Sequence, residues 1–136
     1  MAATFQLEIV TPTQVIDCGP VDYLRAPSED GLFGVMARHT RAMVSLDVGE
    51  IKYLKAGKVH YYATNGGYAD IHGHKVQLLV ETAEVAREID EARAKSAEER
   101  ARERLRQQAR DRTIDEARAE VALQRAVNRL SVAGRG

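Results

Sequence analysis

Near residue 84 this 136-residue chain changes its chemistry abruptly, and the change limits what it can fold into. Up to that point glycine and proline recur at short intervals. From Glu88 onward neither occurs until Gly134, and Ala, Arg, Glu and Gln, all strong helix formers, take over. No single layer of structure suits both halves, so the chain is expected to have two parts: residues 1–84 built from strands and residues 85–136 built from helices.

In the first part, Phe5, Leu7 and Ile9 alternate with Gln6, Glu8 and Val10, the period-2 pattern of a half-buried strand. The same alternation is read in Val59, Tyr61 and Ala63, and in Val76, Leu78 and Val80. Turn signals stand between such runs: Cys18-Gly19-Pro20, Ala26–Gly31, Ala56-Gly57-Lys58, Asn65-Gly66-Gly67 and His72-Gly73-His74. Closely spaced turns around short strands predict an antiparallel sandwich or barrel. Gly66-Gly67 is expected to serve a bulge or a close approach of strands.

In the second part, helices are predicted over Ile89–Ala109 and Ile114–Val132, with Thr113 and Glu116 spaced as a capping box before the second. Their apolar stripes are thin: Ala94, Ala97, Ala101 and Leu105 in the first, and Ala119, Leu123, Ala126, Val127 and Leu130 in the second. Alanine buries little area, and an isolated helix of this length is marginal in water. A hairpin with packed and unpacked states close in free energy is therefore expected. The hexapeptide Ile89-Asp90-Glu91-Ala92-Arg93-Ala94 recurs as Ile114-Asp115-Glu116-Ala117-Arg118-Ala119. It is read as two helix starts, where acids suit the N-terminal dipole, and not as a structural repeat.

Charge sums to zero, which gives no global pull toward nucleic acid or acidic lipid. Residues 1–83 carry 7 Lys and Arg against 9 Asp and Glu; the remainder carries 13 against 11, nearly all of the cations arginine. The lone Cys18 makes no internal disulfide and fits a reducing compartment as a packed residue. No run approaches the roughly 20 apolar residues of a membrane span, so no direct membrane span is expected. Phosphate-loop, nucleophile-elbow and zinc-protease motifs are absent, and an enzyme acting alone is not expected. Neither His39 nor the pair His72 and His74 has the neighbours a catalytic or metal site needs, and no metal is expected.

The arginines carry the remaining signal. Arg125 and Arg129 are four apart, and Arg93 and Arg100 seven apart, so each pair shares a helix face. In an antiparallel hairpin these faces could converge beside Ile89 and Asp90, and four guanidiniums suit a polyphosphate through their planar bidentate forks. The alternative is a solvated face laced with Glu–Arg pairs.

Four segments together resemble a known family. They are Gly31-Leu32-Phe33-Gly34-Val35-Met36-Ala37-Arg38-His39, Asn65-Gly66-Gly67-Tyr68-Ala69-Asp70-Ile71, Ile89-Asp90-Glu91-Ala92-Arg93-Ala94, and Arg125-Ala126-Val127-Asn128-Arg129-Leu130-Ser131-Val132. In order and spacing they are similar to the epsilon subunits of bacterial F-type ATP synthases. The chain departs from that pattern at Arg38 and Arg41, where the family commonly has Gly and Pro, and at Asn65, where it has Ser.

The resemblance implies a β-sandwich of about ten antiparallel strands followed by a two-helix antiparallel hairpin. It implies a non-catalytic central-stalk subunit that couples the catalytic sector to the membrane c-ring, peripheral on the cytoplasmic face of the bacterial membrane. The implied partners are the gamma subunit, the c-ring and, with the hairpin extended, the alpha and beta catalytic subunits. The hairpin restrains ATP hydrolysis in that family, and in some members its folded form binds ATP. The resemblance implies no required cofactor, and ATP as a possible regulatory ligand. The matching positions are Glu84, Ile89, Asp90, Arg93, Ala94, Arg100, Arg125 and Arg129.

Three rival readings are open to the residues alone. One is a free-standing ATP sensor. Another is an Arg-rich helical nucleic-acid binder, disfavoured by the interleaved acids and by helices without a stacking aromatic ring. The third is a coiled-coil adaptor, disfavoured by Arg100 and Ala101 interrupting any heptad of large apolar residues.

Overall fold

The computed structural model describes residues 3–136, which fall into two compact units, one ending at Val85 and the other spanning Ala86–Gly136. The first contains ten strands: β1 (Phe5–Val10), β2 (Val15–Val21), β3 (Tyr23–Ser28), β4 (Gly31–Val35), β5 (Ala42–Leu46), β6 (Gly49–Lys55), β7 (Lys58–Thr64), β8 (Gly67–His72), β9 (Lys75–Val80) and β10 (Glu84–Val85). They form one sheet in the order β10-β7-β6-β3-β5-β8-β9-β1-β2, with β4 paired to β3 off this path. Inward residues from distant parts of that order meet in one core: Phe5, Leu7 and Ile9 of β1, Val76, Leu78 and Val80 of β9, Leu24 of β3, and Ile51 and Tyr53 of β6. A sheet whose two ends share a core has folded over on itself, as a sandwich does. One pairing departs from the antiparallel expectation. β1 and β9 run parallel, from Gln6↔Lys75 to Val10↔Leu79. They are far apart in sequence, so no tight turn obliges them to run in opposite directions.

Two local readings of the sequence are corrected. Cys18-Gly19-Pro20 makes no turn; it lies inside β2, where the register passes from Leu7↔Gly19 to Glu8↔Asp17 and leaves Cys18 as the extra residue of a bulge. Gly19 supplies the positive φ of 72° there. In β7 the expected inward set of Val59, Tyr61 and Ala63 holds only for Ala63, which is buried. Val59 is exposed, and Tyr62 packs on the core beside Tyr53, with ring centroids 6.0 Å apart. Adjacent tyrosines at 61 and 62 leave the period-2 pattern ambiguous, and the Tyr53 partner settles it.

The second unit holds a 3₁₀ turn (Ala86–Glu88), α1 (Glu91–Gln108) and α2 (Glu116–Ala133). Beyond α2, Gly136 lies against the 3₁₀ turn, so close that a Cβ there would sit 2.9 Å from the Arg87 nitrogen. The end of α2 is thus beside the start of α1, and the helices are antiparallel. Each is 18 residues long. Asp90 caps α1 by accepting from the Arg93 N–H at 3.0 Å, and Asp115 caps α2 by accepting from Arg118 at 3.1 Å. This overturns the expected Thr113 cap. Thr113 instead donates its hydroxyl and its N–H to Asp111 inside the connection, at 2.7 and 3.0 Å. Those bonds hold the Asp111 carboxyl below its usual range.

The expectation of no repeat is also overturned. Both helices begin, end and are capped at positions 25 residues apart. At that shift Ala97 meets Ala122, Arg100 meets Arg125, Ala101 meets Ala126, Arg104 meets Arg129 and Leu105 meets Leu130, in addition to the hexapeptide. The hairpin is one helical unit written twice. Because the caps are equivalent, Asp90→Ala and Asp115→Ala should each cost about 1 kcal/mol of helix stability. Amide exchange in the first turn of each helix would measure this, and a cost at one end alone would contradict the equivalence.

The seam follows the repeat. Ala94 and Ala101 of α1, and Ala119 and Ala126 of α2, are buried seven residues apart on their own helices. Val127, expected in the stripe, is 41% exposed, because its position turns it away from the line through Ala119 and Ala126. Burying a methyl group contributes about 0.8 kcal/mol, against about 1.5–3 kcal/mol for a Leu or Ile such as Leu24 or Ile51 in the sandwich. The sandwich is the strong unit and the hairpin the weak one.

Candidate functional site

Four of the sequence-predicted residues come together at the start of α1. Ile89 is buried just before the cap, Asp90 is the cap, Arg93 is exposed in the first turn, and Ala94 is wholly buried. Asp90 and Ala94 therefore have structural work of their own, since the Ala94 N–H also donates to the Asp90 carbonyl at 3.0 Å. Arg93 gives its backbone N–H to that cap, and its guanidinium has no partner among the described residues. Arg100 lies two turns further along the same face, also exposed. On α2, exposed Arg125 and half-buried Arg129 are one turn apart. The antiparallel arrangement puts Arg129 nearer than Arg125 to the start of α1. Glu84 is not part of the hairpin unit. It opens β10, pairs in register with Ala63 of β7, and is half-buried.

Other arginines on α1 are already engaged. Arg102 pairs with Glu98 at 3.5 Å, and Arg106 with Glu103 at 2.6 Å. The Arg106 pairing holds the Glu103 carboxyl below its usual range. Arg104 and Arg118 are the 25-residue counterparts of Arg129 and Arg93.

In the sandwich, the Cys18 thiol is buried, and burial pushes its pKa up, although the Tyr53 hydroxyl and nearby Lys55 act the other way. A thiol so held is a packing group, not a nucleophile. Burial raises the Tyr53 phenol likewise. Among the described residues no group of three or more His, Cys, Asp or Glu could hold a metal ion. No helix among the described residues is long and apolar enough to cross a membrane.

Comparison with known proteins follows the same two-part division. Residues 4–86 match the family described as ATP synthase, Delta/Epsilon chain, beta-sandwich domain, and residues 87–134 match its long alpha-helix domain. An ATP synthase epsilon chain of Syntrophotalea carbinolica is 45% identical over 107 residues, covering 79% of this chain and 78% of that one. One from Nitratidesulfovibrio vulgaris is 41% identical over 107 residues, covering 79% and 80%. In fold, the chain is similar to one in a cryo-EM structure of Euglena gracilis mitochondrial ATP synthase, OSCP/F1/c-ring, with a TM-score of 0.82 and 24% identity over 98% of this chain and 82% of that one. With both parts matched in order and bacterial relatives this similar, the protein belongs to the ATP synthase delta/epsilon chain family, as a non-catalytic chain of the epsilon kind.

Proposed function

We propose that this epsilon-type subunit works in the central stalk of a bacterial proton-translocating F-type ATP synthase. Its sandwich couples the catalytic sector, through the gamma subunit, to the membrane c-ring, and its hairpin regulates ATP hydrolysis. The subunit is held peripherally at the cytoplasmic face of the membrane through those partners. The folded hairpin takes ATP through Arg93, Arg100, Arg125 and Arg129, with Ile89, Asp90 and Ala94 shaping the helix start and Glu84 contributing from β10. Extended, the hairpin reaches the alpha and beta subunits and slows hydrolysis.

The observation that carries this reading is the contrast between the two units, each taken by itself: the sandwich has a core of large residues, whereas the buried residues of the hairpin are mostly alanine, with Ile89 and Val132 the larger exceptions. A ligand at 100 times its dissociation constant stabilises the state it binds by about 2.7 kcal/mol. That is comparable to what the four buried seam alanines contribute together at roughly 0.8 kcal/mol each, so ATP can bias such a hairpin toward its closed state. A calorimetric ATP titration of the isolated chain tests it. Saturable binding that Arg93→Ala removes is the expected result. Absence of heat at millimolar ATP would overturn the ligand reading and leave the hairpin as an arm controlled by other means.

A further inference from the structure

The repeat has a consequence at the opposite end of the hairpin. Two antiparallel helices of equal length and equal capping are related by a local twofold exchange. Exchanging α1 with α2 carries Arg93 onto Arg118, and Arg125 and Arg129 onto Arg100 and Arg104. Whatever arginine arrangement α1 and α2 build at the start of α1 therefore has a counterpart where the two helices are connected.

A cavity is found there. It measures about 380 Å³ and is lined by Arg104 of α1, Thr113 and Ile114 of the connection, the cap Asp115, and Arg118 and Ala119 of α2. Its size lies within the range of small-ligand sites. The two arginines enter it from different helices. Arg102 and Arg106, on either side of Arg104, are engaged by Glu98 and Glu103. The guanidiniums of Arg104 and Arg118 have no such partner among the described residues. The segment from Arg104 to Arg118 holds five arginines against three acids, so the local field is positive. The helix start is not itself the attraction, because Asp115 already accepts from the Arg118 N–H at 3.1 Å. Two exposed planar guanidinium forks therefore face one space with no protein partner among the described residues, and such forks match the oxygens of phosphate groups bidentately.

We propose that this end of the hairpin is a second ligand site, formed by Arg104 and Arg118, that takes a phosphoanhydride chain such as that of inorganic tripolyphosphate or a nucleoside triphosphate. Two guanidiniums on different helices gripping one chain tie α1 to α2 at the connection, so ligand here closes the hairpin from the end remote from Arg93. The site depends on α1, α2 and their connection alone and stands whether or not ATP binds at the start of α1.

The test is a titration of the full chain with inorganic tripolyphosphate, read by calorimetry and by the amide NMR signals of Thr113–Ala119. The wild type is expected to bind with saturable shifts of those signals. Arg104→Gln with Arg118→Gln should weaken that response at least tenfold, while Arg93→Gln leaves it in place. Signals at Thr113–Ala119 that do not move, or that move equally in the double variant, would overturn the proposal. So would a response that Arg93→Gln abolishes, which would assign all binding to the other end. Both target side chains are exposed, and an unchanged helical circular dichroism verifies the double variant. If its helicity falls, Arg104→Lys with Arg118→Lys decides the matter. These substitutions keep the charge but lose the bidentate fork, so weakened binding with intact helices supports the site and undiminished binding refutes it.

Discussion

Gly67→Ala should unfold much of this protein's margin of stability. Gly67 opens β8 with a φ of 150°, and an added Cβ would fall 2.1 Å from the Leu79 carbonyl oxygen and 2.8 Å from the Val80 Cα. Both obstacles are backbone atoms of β9, the strand that β8 pairs with directly, so neither can rotate aside. The preceding residue is nearly as confined: a Cβ on Gly66 would meet the Leu46 carbonyl at 2.8 Å. Two hydrogen bonds pin the same corner, from the Gly66 N–H to the buried Thr64 hydroxyl at 3.1 Å and from the Glu81 N–H to the Gly66 carbonyl at 3.0 Å. Relief would require β8 and β9 to part where Ala69, Ile71, Val76 and Leu78 enter the core. A loss of about 4 kcal/mol or more is expected, at the extreme of single substitutions and a large share of the roughly 5–15 kcal/mol that holds a domain folded. Urea denaturation followed through the sandwich would show it; a midpoint close to that of the wild type would mean that β8 and β9 are not in this contact. Gly57→Ala is the control, since nothing lies within 4 Å of the added carbon and only its φ of 78° is penalised.

The second large effect is confined to the other unit. Ala101→Leu keeps a strong helix former, so any loss comes from the seam and not from propensity. Ala101 is buried in a line with Ala94, and the facing line of α2 is also alanine, which allows the helices to approach at the near end of the usual 8–10 Å spacing. A leucine there must force them apart, at a cost of about 1–3 kcal/mol. That is comparable to what the buried alanine methyls contribute together, so the hairpin should open while the sandwich melts as before. Amide exchange in α1 and α2 should speed up by at least tenfold with sandwich amides unchanged. Uniform slowing across both helices would show instead that the seam has room to fill. Under the function proposed above, the variant would also need more ATP to hold the hairpin closed.

Much of this architecture was legible in the order of residues. The loss of glycine and proline after Glu88 marks the passage from sheet to helix, because those two residues act on the backbone locally whatever surrounds them. The alternation of Phe5, Leu7 and Ile9 names the inward face of β1 for the same reason: side-chain direction in a strand has period 2 regardless of partner. The residues grouped at the start of α1, Ile89 to Ala94, were equally visible, since neighbours in sequence on one helix turn are neighbours in space. Their shared motif was visible too, but not what it meant for the chain as a whole.

Tertiary structure decided the rest. Whether Tyr61 or Tyr62 faces inward depended on Tyr53, a residue of the neighbouring strand β6. The parallel course of β1 beside β9 and the bulge at Cys18 are properties of pairs of strands, and one strand's pattern does not contain them. Thr113 and Asp115 are both able to cap a helix; the connection's own geometry gave Thr113 to Asp111 and left the cap to Asp115. The repeat was present in the letters, yet only the matched helix ends and caps gave its shift a physical meaning. Local rules act through the chain and can be read along it; partners, register and the meeting of Arg104 with Arg118 across a hairpin act through space, and only the folded chain holds them.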